Sequence, residues 1–216
     1  LSSSSAASDV YKRQTLDMSA SNFNMVIDGD YTLTSGTFNS RTGTVTFSGA
    51  GAQSLNPGSS SFYNLITATN GTNVTIQADV TVTNNLTIDN NTTLDAGSNR
   101  AITIGGNWSN SGTFTDQAGT VTFNGGGAQT VTSGGSDFYN LTTTGASTAV
   151  TLADAMTIAN DLSIASSSSL DVSGSNFSIG IKGNWSNSAT FVDQAGTVTF
   201  DGGDAQTVTL EAIFII

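Results

Sequence analysis

Apolar side chains along this chain come in short alternating triplets. Val74-Thr75-Ile76, Leu86-Thr87-Ile88, Met156-Thr157-Ile158 and Leu162-Ser163-Ile164 each set two apolar residues around one polar residue. That is the period of a β-strand, in which neighbours point to opposite faces. In Thr120-Val121-Thr122-Phe123 the same rule puts Val121 and Phe123 on one side and both Thr on the other. In the adjacent aromatic pairs Phe62–Tyr63 and Phe138–Tyr139 it puts Phe inside and leaves the Tyr phenol in water. The triplets recur roughly every six to ten residues, separated by Gly, Asn, Ser and Asp, which tolerate left-handed or tightly bent backbone. Such gaps leave no room for crossover helices. The pattern predicts very short strands joined at sharp corners.

A longer period lies over the short one. GTVTFSGAGAQSL starts at Gly43, GTVTFNGGGAQTV at Gly119 and GTVTFDGGDAQTV at Gly196, offsets of 76 and 77 residues. Each copy runs in the same order through an Ala-Gln pair, a Phe-Tyr-Asn-Leu segment and several triplets, with no linker at the junctions. These features predict an all-β right-handed parallel β-helix, a β-solenoid built from three long repeats of about 77 residues. Each repeat should supply about three or four coils, stacked at about 4.8 Å around one continuous apolar interior. The alternative is a string of tandem Ig-like β-sandwiches, one per repeat.

Both ends break the pattern. SDVYKRQ, within residues 1–14, resembles translated sequencing-adapter read-through. Leu16–Phe23 already matches Leu170–Phe177, two repeats on. Residues 1–14 therefore read as a non-native leader and 15–209 as a single solenoid domain. The tail, residues 210–216, reads as a frameshift. Codons for Ser-Gly-Ser-Asp-Phe-Tyr-Asn-Leu, taken one base late, can spell Leu-Glu-Ala-Ile-Phe-Ile-Ile. On that reading more repeats of the same array are expected.

Composition narrows the function classes. The chain has 34 Thr, one Glu and one Pro, and only 10% charged residues, which favours strands over helices. A net charge of −11 repels a nucleic-acid backbone. No apolar run of about 18 residues is present, so no membrane insertion by a helix of this segment is expected. Cys and His are both absent, which removes disulfides, thiolate chemistry and the commonest acid–base group and metal ligand.

The succession GTVTFNG, AQTV, FYNLTTT, VTL, MTI and LSI is similar to the repetitive β-helix surface proteins of bacteria, of filamentous-haemagglutinin and autotransporter type. It covers almost all of residues 15–209. The resemblance implies a secreted adhesin displayed on the bacterial cell surface or outer membrane. It implies a rigid rod whose weak multivalent contacts reach host or environmental glycans or surface proteins.

Candidate chemistry is sparse. Asp116 and Asp193 are the carboxylates a glycoside hydrolase would need, and a polysaccharide-active β-helix enzyme is an alternative function. Both occupy one repeat position, filled by Ser40 in the first copy. A residue echoed along the rod is expected to form turns, its carboxylate bonding nearby N–H groups. Arg41, Arg100 and Lys182 are the bases a lyase would use, but nothing concentrates them. No catalytic group, metal site or cofactor is predicted, and the nonapeptide Ca²⁺ repeat is missing. Tyr31, Trp108 and Trp185 share a repeat position and could stack against sugar rings, or else fill the interior. Asn85, Asn107 and Asn184 open Asn-X-Ser/Thr triplets. An ice-binding solenoid, a second alternative, needs one hydroxyl per coil in register; the copied Thr-X-Thr motifs lie several coils apart, so ordinary solvent-facing Thr is expected instead.

Overall fold

The computed structural model describes residues 14–211. Across them the chain makes 26 short strands and no helix. Every paired strand runs parallel to its neighbour, and register partners lie 19 residues apart at the closest (Ile102 with Val121) and 24 at the widest (Tyr31 with Leu55). The fold is a β-solenoid of about nine turns. Parallel pairing between successive turns excludes the antiparallel sandwiches.

Each turn visits three faces. The longest is a nine-stranded sheet that starts at Met25–Ile27 and ends at Thr190–Val192. The second begins with Thr15–Asp17 and Thr37–Asn39 and continues in a seven-stranded sheet from Val80–Val82 to Val208–Leu210. The third holds five strands from Tyr31–Thr32 to Thr113–Thr115, then three from Met156–Ile158 to Val198–Phe200. The breaks in the second and third faces fall at Phe62 and Phe138, each joined to the next coil by one parallel bridge, to Val82 and to Ile158. Ser60 and Ser136 span the other side of these breaks: their hydroxyls accept the Phe38 and Phe114 N–H groups, both at 3.0 Å.

The alternation read from sequence is what the coils obey. Val121 and Phe123 are buried while Thr120 and Thr122 face outward. Phe62 and Phe138 are buried and Tyr63 and Tyr139 are partly exposed. One apolar cluster runs from Met18 to Trp185. Each buried Val, Leu, Ile or Phe contributes about 1.5–3 kcal/mol, which no coil could collect without a neighbour above and below.

The thirteen copied residues are a set of coil-to-coil joints. A Cβ on Gly43, Gly119 or Gly196 would lie 2.3–2.6 Å from a carbonyl oxygen of the coil beneath. One on Gly49, Gly125 or Gly202 would lie 1.9–2.1 Å from another. The Gln of each Ala-Gln pair ties the same corner down. Gln129 Nε2 donates to the Ile104 and Gly106 carbonyls at 3.1 and 2.6 Å, and its Oε1 accepts the Gly125 N–H at 3.1 Å. Gln53 Nε2 donates to Ile27 and Gly29, and Gln206 Nε2 to Ile181 and Gly183.

The long repeat is not a whole number of turns. From Thr44–Phe47 to Thr120–Phe123, and again to Val198–Phe200, the chain passes ten strands plus one bridged Phe, eleven positions at three per turn. That is three and two-thirds turns, inside the expected three to four. GTVTF therefore sits on the nine-stranded face in the first copy, on the second face in the second copy and on the third face in the third.

The described ladder runs from Gln14 to Glu211. The Gln14 carbonyl already accepts the Thr37 N–H at 3.0 Å, and the last strand runs through Leu210, with the Glu211 N–H reaching the Asn187 carbonyl at 2.9 Å. The remainder of the expected leader and tail, 1–13 and 212–216, lies outside the described residues.

Candidate functional site

The second face carries a column of hydroxyls. Its central outward residues are Thr81, Thr103, Thr122, Thr142, Ser163, Ser186 and Thr209, each the direct register partner of the next. The strands supplying them are Val-Thr-Val, Ile-Thr-Ile, Thr-Val-Thr-Phe, Asn-Leu-Thr-Thr, Leu-Ser-Ile, Trp-Ser-Asn and Val-Thr-Leu. Parallel pairing sets them about 4.8 Å apart. The copied Thr-X-Thr motifs do lie several coils apart, yet this face still sets one hydroxyl per coil in register. Only Thr122 belongs to a GTVTF copy on this face; unrelated triplets fill the intervening coils with the same chemistry.

A second polar column locks the strand starts. Asn64 Oδ1 accepts the Asn85 N–H at 3.2 Å, Asn85 Oδ1 the Asn107 N–H at 2.8 Å and Asn107 Oδ1 the Thr130 N–H at 2.8 Å. One repeat later Asn140 accepts from Asp161, Asp161 from Asn184 and Asn184 from Thr207, at 3.2, 2.6 and 2.9 Å. The Asn85, Asn107 and Asn184 carboxamides are thus committed to main-chain bonds between coils.

The candidate sugar-stacking rings point inward. Trp108 is 1% exposed and packs edge-on against Phe114 and Phe138, at centroid distances of 4.8 and 5.2 Å. Trp185 is buried against Phe191 at 4.9 Å. Tyr31 is half-buried between Phe38 and Phe62, at 5.9 and 5.8 Å. The strand alternation that turns Ser109 and Ser186 outward turns Trp108 and Trp185 inside. Among the described residues the Tyr31 hydroxyl and both indole N–H groups have no partner. Burial holds the Tyr31 phenol above its usual pKa.

The acidic candidates serve the backbone. Asp116 and Asp193 do make turns, but through their carbonyls, which accept the Gly119 and Gly196 N–H groups at 3.1 and 2.7 Å. Gln117 and Gln194 follow in left-handed conformation. Burial, followed by the nearby Asp137 charge, pushes the Asp116 carboxyl above its usual pKa. Carboxylates of other turns bond the backbone too: Asp95 Oδ1 accepts the Gly97 N–H at 2.7 Å and Asp171 Oδ1 the Ser173 N–H at 2.8 Å. Asp30 accepts the Ser54 N–H at 2.7 Å, which lowers its pKa. Of the basic candidates, Arg41 pairs with Asp17 at 2.6 Å on the surface, and the paired guanidinium lowers the Asp17 pKa. Arg100 is partly buried and Lys182 exposed, on separate coils.

A shallow notch of about 340 Å³ opens where Ser147, Thr148, Ser167 and Ser168 meet, with no titratable side chain in its lining. Among the described residues no group of three or more Asp or Glu could hold a metal ion. Among the described residues no helix is long and apolar enough to cross a membrane. No protein-family model, curated protein or solved structure matches this chain.

Proposed function

We propose that this chain is a structural and adhesive repeat segment of a secreted bacterial surface protein. It acts as a stiff rod that offers many weak contacts along its length. The observation that carries this reading is the in-register column Thr81–Thr209, held on an unbroken parallel stack. The seven hydroxyls recur once per coil with the same register, so this face presents a regular neutral hydrogen-bonding surface. A neutral, repeated hydroxyl suits hydrogen bonding to glycans, and repetition converts weak single contacts into avidity. Secretion and bacterial surface display follow the resemblance of the repeat to β-helix adhesins.

The same column favours a second reading, ice binding, which the scattered copies alone did not support. One experiment separates the two. The full chain is compared as dispersed monomer and clustered on beads, against polysaccharide- and mucin-coated surfaces. Adhesion predicts retention at least 100-fold stronger for the clustered form. Equal retention overturns it. Inhibition of ice recrystallisation by the dispersed chain, without clustering, supports the second reading.

A further inference from the structure

Asn70 and Asn124 are both exposed and each is followed by Gly. Such a pair is a labile join, because glycine has no side chain to shield its nitrogen. That nitrogen can attack the Asn Cγ. A nitrogen–carbon bond forms, the carbon–nitrogen bond of the carboxamide breaks, and ammonia leaves with the glycine's proton. Water then opens the cyclic imide to Asp or to isoaspartate. The attack requires the glycine N–H to give up its proton, so a hydrogen bond that holds this N–H slows the reaction.

In both pairs the glycine N–H is held, by different means. Gly71 donates to the Asn91 carbonyl at 3.0 Å, a main-chain bond between coils. Gly125 donates instead to a side chain, the Oε1 of buried Gln129, at 3.1 Å. The long repeat supplies the comparison. Ser48, Asn124 and Asp201 share one repeat position, each followed by Gly and then, five residues on, by Gln53, Gln129 or Gln206. Asp, like Asn, can close an imide on the next nitrogen; Ser cannot. Gln206 Oε1 takes the Gly202 N–H at 3.1 Å, whereas Gln53 Oε1 has no partner among the described residues. The Nε2 bonds to the coil beneath are kept in all three copies. Capture of the glycine N–H is therefore the part that varies, and it is present in the two copies able to cyclise.

We propose that Asn124 is a modification site, a deamidation centre that Gln129 holds in check by capturing the Gly125 N–H. Water reaches the exposed Asn124 carboxamide, so the captured nitrogen is what restrains the reaction. Isoaspartate would add one carbon to the main chain at a tightly bonded corner. There the Ile104 carbonyl accepts the Asn124 N–H at 3.0 Å and the Gly125 carbonyl accepts the Thr148 hydroxyl at 2.6 Å. Gln129 thus guards this joint against chemical ageing as well as tying it down.

The test incubates the full chain in mildly alkaline buffer and follows Asp and isoaspartate at each Asn by peptide mass mapping. Gln129→Ala should speed conversion at Asn124 about tenfold, the factor one hydrogen bond commands, and leave Asn70 unchanged. An unchanged rate at Asn124 overturns the proposal. Equal speeding at Asn70 means general loosening of the coils and overturns it too. A second variant, Ser48→Asn, leaves Gln129 in place and sets an Asn-Gly pair where the Gln oxygen holds no N–H. Position 48 should then convert about tenfold faster than Asn124 within the same molecule. Conversion there no faster than at Asn124 also overturns the proposal.

Discussion

The second and third copies of GTVTF have the same five residues and different fates. In the second, Val121 and Phe123 are 3% and 0% exposed; in the third, Phe200 is 39% exposed and Val198 only half-buried. Val131 and Val208, a few residues on, are 0% and 46% exposed. Local sequence sets which way these side chains point, but the coil above decides whether that direction is inside. Burial in a solenoid is thus a property of the joint between coils, and the value of a side chain depends on its height in the stack.

The comparison breaks most sharply with a ring deletion. Phe123→Ala should cost about 3–5 kcal/mol, through lost transfer free energy and the cavity left between two coils. Phe200→Ala should cost under about 1.5 kcal/mol, because water already reaches that ring. Chemical denaturation of the two variants checks this, and equal losses would mean that the last coil is covered in solution.

A smaller contrast tests the corner joint. Gln129→Ala leaves the Gly106 carbonyl and the Gly125 N–H without their partner, and the Ile104 carbonyl with only the Asn124 N–H, at a cost of about 1–3 kcal/mol. Gln206→Ala removes the same bonds where water can replace them, and should cost under about 1 kcal/mol. Thermal melts of the pair report the difference.

The smallest effect distinguishes the first copy, where Tyr replaces Trp. Burial raises the folded-state pKa of Tyr31. Stability from keeping the phenol neutral is therefore fully present below the unfolded value near 10, and is lost as pH rises through the folded one. Alkaline titration should loosen the packing of Tyr31 on Phe38 and Phe62 while that of Trp108 on Phe114 and Phe138 holds. Tyr31→Phe should remove that part of the pH dependence, as followed by exchange or tyrosine absorbance.

Much of this molecule is written locally. The inward Val121 and outward Thr122, the buried Phe62 beside the surface Tyr63, and the parallel stack all follow from period-two triplets with short gaps. The hydroxyl column was not legible in the same way. Its members come from seven dissimilar strands, and their alignment depends on turn lengths that vary between 19 and 23 residues on that face. A search for copied Thr-X-Thr motifs compares the wrong strands, because copies land on different faces. The Gln129 joint was hidden because a buried Gln is read as surface until its partners, 23 and 25 residues upstream, are known. The inward turn of Trp108 was half-legible. Strand period makes Trp108 and Ser109 face opposite ways, but only the neighbours Phe114 and Phe138 say which way is in.

A repeat of three and two-thirds turns ties length to azimuth. Excising one 77-residue unit would shorten the rod by roughly 18 Å, taking about 4.8 Å per turn. It would also swing whatever the far end carries through a third of a revolution, so that a ligand held toward one side would be lost to view. Only removal or addition of three units together restores the original bearing.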